Sequence, residues 1–268
     1  MTKLAVLGSY YKSEDYLKTY LKSARKQVFK DFEIFLEVID PKSKKEEIYI
    51  EKITSKNSKL NINKKVYYEH YLLPTTWNIS IDRSDSELIC LWNLDDLRTP
   101  DSLSDMVKIF DTKPEIDFVY GNYKIVDKYK SKKGNYINEI NREGELTYSM
   151  ILGPFFMFRR NVLDVIGKFD EQFISGADFD FAMRLGRHCK GYHLNSNLGY
   201  FLNLGKGLST KRNSLQEIER TAIEIRYGLN VINQQLIEKA QNKYDVNYLY
   251  FDGKKHNIKN FLKLDKNK

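Results

Sequence analysis

Residues 3–39, KLAVLGSYYKSEDYLKTYLKSARKQVFKDFEIFLEVI, decide the fold. The run 3–9 is short and apolar and ends in Gly8-Ser9, the pattern of a buried strand entering a turn. Ser13 stands where it can cap a helix, and Leu17, Tyr20, Leu21 and Ala24 follow at i, i+3, i+4 and i+7, the spacing of one buried helical face. Residues 32–39 read as a second strand, closed by Asp40-Pro41 because proline has no N–H to give to a ladder. Strand, helix and strand in that order imply a right-handed crossover and a parallel α/β sheet.

Outward from this unit, the polar stretch 43–65 reads as a surface helix plus loop, and Thr75 or Thr76 as the cap of a short helix through Trp77 and Ile81. A third strand, 87–91, precedes the loop Trp92-Asn93-Leu94-Asp95-Asp96-Leu97-Arg98. Thr99-Pro100 then opens a helix with Leu103, Met106, Val107 and Phe110 on one face. Residues 116–120 read as a strand, 121–147 show no strong periodicity, 154–159 form a strand, and 162–166 and 178–185 form helices. Ser214-Leu215-Gln216-Glu217 is a capping box. It predicts a long helix whose Ile218, Ala222, Ile225, Leu229, Ile232 and Leu236 recur in alternating steps of four and three. That stripe can dock on the parent domain or form a homodimer through helix 215–240.

The 268 residues carry 44 Lys+Arg against 36 Asp+Glu, a formal charge of +8. Residues 253–268 hold six lysines and one acid, Asp265, so +5 of the excess sits there and +3 on the other 252 residues. Phosphate binding by a folded body needs a cationic surface on that body, so no specific nucleic-acid partner is expected. Cys90 and Cys189 lie far apart without the spacing of a zinc site or disulfide framework. No window approaches the length of a membrane span, and the N-terminus turns polar too early for a signal peptide, so a cytoplasmic protein is expected. The end of the chain sets Ile258, Phe261, Leu262 and Leu264 among lysines. It can be a solvated terminus or a peripheral contact with an anionic inner membrane face.

Acids recur where ligands of an open parallel sheet bind: Asp40, the pair Asp95/Asp96, and Asp178/Asp180 in the second half. Adjacent carboxylates repel, and oxygen-only ligands favour Mg²⁺ or Mn²⁺ completed by water and phosphate. Asp95 and Asp96 can equally be turn formers. Asp178 at a helix start can accept N–H bonds that lower its pKa, and an ionised carboxylate in a cleft can take a proton from an attacking hydroxyl. Arg184 on the same helix can pair with an acid or a phosphate oxygen.

The run Val6-Leu7-Gly8-Ser9-Tyr10-Tyr11, with Asp31-Phe32-Glu33-Ile34, Trp77-Asn78, Leu91 to Asp96, Gly153 to Arg160 and Gly176-Ala177-Asp178-Phe179-Asp180, resembles family 2 glycosyltransferases over roughly residues 4–210. The resemblance implies a GT-A fold: a Rossmann-like, mostly parallel sheet flanked by helices, with a C-terminal helical extension. It implies a domain over 1–212, with a nucleotide-sugar half to about 120 and an acceptor half over 121–212, then a helix over 213–245 and a basic tail over 246–268. By resemblance, Ser9, Tyr11, Asp40, Asn78 and Asp95 contact the nucleotide sugar, Asp95 and Asp96 bind Mn²⁺ or Mg²⁺, and Asp178 is the catalytic base. The implied activity is inverting, metal-dependent transfer of a sugar from a UDP- or dTDP-linked donor to a glycan or lipid-linked acceptor. Three positions depart from the family pattern. The acids after the second strand are reduced to Ile39-Asp40-Pro41-Lys42, the first acid of the metal motif is Asn93, and the residue before the base is Ala177. Two alternatives stand beside this assignment. One is a catalytically degenerate domain acting as a binding module. The other is a sugar nucleotidyltransferase, which would want a basic, glycine-rich phosphate loop where this chain has Gly8-Ser9-Tyr10-Tyr11.

Overall fold

A computed structural model describes residues 2–138, 152–205, 215–229 and 231–261. The opening unit folds as the sequence predicts: β1 (Leu4–Tyr10), α1 (Glu14–Arg25) and β2 (Phe32–Ile39) form a parallel crossover, with Leu4 beside Phe32 and Tyr10 beside Val38. Alternate residues of β1 serve opposite faces. Leu4 and Val6 join the cluster of Leu17, Tyr20 and Leu21 from α1, while Ala5 and Leu7 join the one holding Trp77 and Phe158. Burial on both faces is why β1 and β2 are nearly unbroken apolar runs. Ser13 does precede α1, but its hydroxyl donates to the Tyr11 carbonyl at 2.8 Å and does not cap the helix.

The polar stretch 43–65 contains a strand as well as a helix: α2 (Lys44–Ser55) is followed by β3 (Asn61–Tyr67), parallel to β2. β3 is an edge strand, largely half-buried, and only Ile62 and Val66 of it pack on the core, too sparse an apolar face to betray it among Asn61, Asn63, Lys64 and Lys65. α3 (Leu73–Arg83) starts before either threonine, with Pro74 in its first turn, and Thr76 donates back to the Leu73 carbonyl at 2.7 Å. β4 (Leu88–Leu91) and the two-residue β5 (Leu97–Arg98) flank the acidic loop, and α4 (Ser102–Thr112) buries the predicted face. β6 (Phe118–Val126) runs well past residue 120 and pairs with the short β7 (Asn135–Ile137). β8 (Met157–Arg159), α5 (Val162–Ile166), α6 (Ala177–His188) and β9 (Gly191–Leu202) complete the second half.

Among the described residues one sheet runs in the order β3-β2-β1-β4-β8-β6-β9-β5, with β7 added beside β6. β3, β2, β1 and β4 are parallel, a Rossmann-like half, and β8 then pairs antiparallel with both β4 and β6. The reversal at β8 sets the two halves of the sheet side by side, and the loops at their junction form the cleft described below.

The single helix predicted over 213–245 is instead two, α7 (Gln216–Arg226) and α8 (Gln234–Lys243). Gly228 turns the chain between them at φ +67°, and Ile232 is 90% exposed, so the stripe is not one continuous seam. Its first part docks at home: Ala222 and Ile223 are buried in the main core, with Ile218, Ile225 and Leu229 packed against it. Ser214 of the capping box lies outside the described residues. The tail is also folded as far as Phe261. β10 (Tyr248–Phe251) and β11 (Lys254–Asn257) make a hairpin that buries Leu249, Phe251 and Ile258, and the Phe261 ring meets Phe251 at 5.6 Å. Two of the four apolar residues available for a membrane contact are therefore spent on the protein body, while Leu262 and Leu264 lie outside the described residues. No described helix is long and apolar enough to cross a membrane.

Candidate active site

The acidic loop after β4 is held at both ends. The Trp92 amide donates to the Leu7 carbonyl at 3.0 Å, and its indole N–H donates to the Asp96 carbonyl at 3.0 Å. β5 pairs antiparallel with the end of β9, and the Leu202 amide donates to Asp96 Oδ1 at 3.1 Å. Arg98 lies behind the loop, its guanidinium 5.4 Å from the Trp92 ring and 5.1 Å from Phe155, donating to Ser102 Oγ and the Leu91 carbonyl. The loop therefore leaves β4 as a closed turn that cannot slide, with Asn93 and Asp95 facing out of it.

They face a cleft of about 670 Å³ between the two halves of the sheet, which Ser9, Tyr11, Trp77, Asn93, Asp95 and Asp178 line together. Tyr123 and Phe156 also line it, while Phe155 and Phe158 are buried core. Four predicted site residues thus converge: Ser9, Tyr11, Asp95 and Asp178. Three do not reach the cleft. Asp40 follows β2 in a left-handed conformation, φ +46°, with its amide donating to the Tyr67 carbonyl at 2.8 Å, and it is not among the lining residues. Asn78 is buried, and its amide is spent pinning α3 to the loop before α6: Nδ2 donates to the Phe169 carbonyl and to Glu171 Oε1, both at 2.8 Å, and Oδ1 accepts from the Phe169 amide at 3.1 Å. Asp96 is buried behind Asp95, where its carboxylate anchors the end of β9.

The electrostatics of the acidic loop follow from that burial. Burial raises the pKa of Asp95, and burial together with the Asp95 charge raises that of Asp96 well above the usual range. No lysine or arginine among the described residues forms an ion pair with Asp95. Nor do three His, Cys, Asp or Glu side chains among them converge to hold a metal by themselves. Asn93 and Asp95 present oxygens to a cleft whose cationic lining residues are Lys12 and Arg220, and oxygens without an ion-pair partner of their own fit a hard divalent cation that takes the rest of its shell from water and a diphosphate. Of the histidines, His70 packs edge-on to Tyr11 at 4.8 Å, and His193 bonds Asn122 Oδ1 at 2.8 Å against Tyr120; neither lines the cleft.

Asp178 enters from the first turn of α6, where Gly176 holds the N-cap position and no side chain of that residue caps the helix. Asp178 Oδ1 accepts from the Phe179 amide at 2.8 Å. That bond does not depress its pKa below the ordinary value, contrary to the sequence-based expectation. Burial outweighs it, and with the nearby Glu219 charge pushes the carboxyl up to about 6. Two residues on, Asp180 is buried and already satisfied. It accepts from Arg184 at 2.9 and 2.7 Å, from Arg226 at 2.6 Å and from the Tyr227 hydroxyl at 2.9 Å. Burial would raise its pKa, but Arg184 and Arg226 outweigh burial and lower it. Arg184 is thus committed to a structural ion pair. Glu219, Arg220 and Arg226 of α7 were not singled out from sequence. Glu219 reads there as an ordinary acid in the first turn of an amphipathic helix, yet it is fully buried beside α6.

Comparison with known proteins agrees with this architecture. Crystal structures of S. aureus TarS 1–349, including one with UDP-GlcNAc, share the fold: TM-score 0.64 at 18% identity, covering 90% of this chain and 71% of that one. A mannosyltransferase from Pyrobaculum calidifontis, solved with GDP-Man and Mn²⁺, gives TM-score 0.59 at 11% identity over 90% of this chain and 68% of that one. An uncharacterized glycosyltransferase of Methanocaldococcus jannaschii is 25% identical over 187 residues, 67% of this chain and 62% of that protein, so the match spans under two thirds of the relative's length. Residues 6–167 match the model of glycosyl transferase family 2. With that match extending over more than half its length and the GT-A fold around it, the chain belongs to glycosyl transferase family 2.

Proposed function

We propose that the chain is a glycosyltransferase that moves a sugar from a nucleoside-diphosphate sugar to a hydroxyl of a glycan or lipid-linked acceptor, with inversion at the anomeric carbon. The observation that carries this reading is that Asp95 and Asp178, from opposite halves of the sheet, line one cleft, with Asp178 titrating at about 6. A general base works best with a pKa near the operating pH, and burial gives Asp178 that value.

In this mechanism Ser9 and Tyr11, at and just beyond the end of β1, border the nucleotide side of the cleft. Asp95, with Asp96 behind it, would hold Mn²⁺ or Mg²⁺, which when bound neutralises charge on the departing diphosphate. The acceptor hydroxyl gives its proton to the Asp178 carboxylate as its oxygen attacks the anomeric carbon opposite the leaving group, so the configuration inverts. General-base assistance of this kind is worth about 10²- to 10⁴-fold. The ligands of the relatives, UDP-GlcNAc in one and GDP-Man with Mn²⁺ in another, support a nucleotide-sugar donor and a divalent cation here.

The test is a panel of nucleotide sugars, scored by protection against thermal unfolding with and without Mn²⁺ or Mg²⁺, and by release of nucleoside diphosphate. A ligand that binds only the native state at about 100 times its Kd stabilises it by about 2.7 kcal/mol. Protection by a UDP- or dTDP-sugar that requires the cation is the expected result. No protection by any nucleotide would overturn the reading in favour of a non-catalytic binding domain.

A further inference from the structure

The loop that enters α6 is held by a carboxylate from a different helix. Glu219 of α7 is fully buried, and its two oxygens face residues 174–176. Oε1 accepts from the Ile174 amide at 2.9 Å and the Tyr244 hydroxyl at 3.0 Å. Oε2 accepts from the Ser175 amide at 2.7 Å, the Ser175 hydroxyl at 3.0 Å and the Gly176 amide at 2.8 Å. These amides belong to the loop entering α6 and to its N-cap, Gly176, and a buried backbone N–H needs a partner. Here three in succession are served by one side chain 43 residues or more downstream. Gly176 makes room for it. A Cβ there would stand 3.0 Å from Ile223 Cδ1 and 3.3 Å from both Cβ and Oε2 of Glu219, so α7 would have to give by a few tenths of an ångström to admit one.

We infer that Glu219 is a positioning residue for Asp178: it fixes the 174–176 loop so that Asp178 leaves the first turn of α6 pointing into the cleft. The inference rests on the reading of Asp178 as the base. A neutral acceptor such as a side-chain amide oxygen could serve such amides without adding charge. The arrangement found instead sets a fixed negative charge behind Asp178, and that charge adds to the burial that raises its pKa. The other charged groups that share the cleft with Asp178 are Lys12 after β1, Asp95 and Arg220. Asp180 on α6 is paired with Arg184 and Arg226, Arg220 on α7 pairs with Glu224 and lies over Phe179, and Asp95 is on the facing loop. The C-terminal helices, which lie outside the family-model match, thereby reach the catalytic end of the cleft.

The deciding measurement is the titration of the Asp178 carboxyl by ¹³C NMR in chelator-treated full-length protein, with the signal assigned by its loss in Asp178→Asn. In Glu219→Gln the midpoint should fall, because a like charge nearby disfavours ionisation and its removal favours it, while burial keeps it above the ordinary carboxylate value. With the donor that turns over, kcat should fall about 10- to 100-fold at unchanged donor KM, the scale of a misplaced catalytic group. Tyr244→Phe and Ser175→Ala each remove one bond to Glu219 but keep its charge, so they should lower kcat by less without lowering the Asp178 midpoint, which keeps the test decisive if Glu219→Gln fails to fold. Leu249→Ala, in the hairpin away from Glu219, should lower stability and leave both readouts unchanged. An unchanged Asp178 midpoint and kcat in folded Glu219→Gln, or an unchanged kcat in both milder variants, overturns the inference. Normal turnover in Asp178→Asn instead overturns the assignment of the base, a separate outcome, since the titration reads Asp178 whatever its role.

Discussion

Asp95/Asp96 and Asp178/Asp180 are both short acidic pairs, and in each one carboxylate lines the cleft while the other is buried. What surrounds the buried member differs. Asp180 meets two arginines and a tyrosine hydroxyl, and its pKa is lowered. Asp96 meets one backbone amide and the charge of Asp95, with Arg98 only a minor counterweight, and its pKa is raised. The second pair is completed by the chain itself: Asp180 ties α6 to α7, and through Arg226 to Asp170. The first pair is left short of positive charge at the wall of the cleft. One pair is thus electrostatically closed around its buried member and the other is not; in the proposed mechanism the first leaves Asp178 for proton transfer and the second would take a cation.

The sharpest break between the pairs should appear in turnover. Asp178→Asn keeps the shape of the first turn of α6 but cannot accept a proton, so kcat should fall at least about 100-fold while nucleotide affinity, measured by calorimetry, stays within twofold. In the unaltered protein turnover should climb as pH rises through about 6, where Asp178 ionises. The neighbouring acid should act on stability instead. Asp180→Ala leaves Arg184 buried without a carboxylate and Arg226 with only Asp170, and removing one partner of a buried pair typically costs about 3–5 kcal/mol. Urea unfolding measures this; a loss below about 1 kcal/mol would mean the two pairs are not different in kind.

That difference was hardly legible in the sequence, where both pairs are short acidic motifs near helix starts. The two-sided burial of β1 and β2 and the spacing of Leu17, Tyr20, Leu21 and Ala24 are local patterns, and they were readable. So was the convergence of Asp95 and Asp178, because each motif is carried by adjacent residues. The partners that separate Asp96 from Asp180 are remote: Leu202 lies 106 positions from Asp96 and Arg226 lies 46 from Asp180. Only the closing of β9 onto β5 and the docking of α7 bring them together. β9 itself, Gly191-Tyr192-His193-Leu194-Asn195-Ser196-Asn197 onward, mixes polar and apolar residues across register shifts and so lacks a clean period of two. The break between α7 and α8 was hidden for the opposite reason: the apolar spacing continues through Gly228 although the helix does not.

A cation distinguishes the open pair from the closed one at intermediate scale. Saturating Mn²⁺ with a nucleoside diphosphate should raise the stability of the unaltered protein by about 2–3 kcal/mol, as binding at about 100 times Kd does. Asp95→Asn should abolish the cation-dependent part of that increment, read as the difference in melting temperature with and without chelator. An undiminished increment in Asp95→Asn would place the cation elsewhere.

The smallest expected effect is the most discriminating, because its sign differs from that of the closed pair. In Asp96→Asn the side-chain oxygen can still accept the Leu202 amide, so the anchor of β9 survives. What disappears is a buried charge opposed by both desolvation and Asp95. In chelator the substituted protein should therefore match the unaltered one within about 1 kcal/mol or exceed it, since replacing a poorly compensated buried charge by a neutral isostere is often neutral or stabilising. Urea unfolding midpoints of Asp96→Asn and Asp180→Asn, taken side by side, decide the matter. Two losses of similar size would show that Asp96 is neutralised within the chain after all, and the contrast between the two halves of the cleft would disappear.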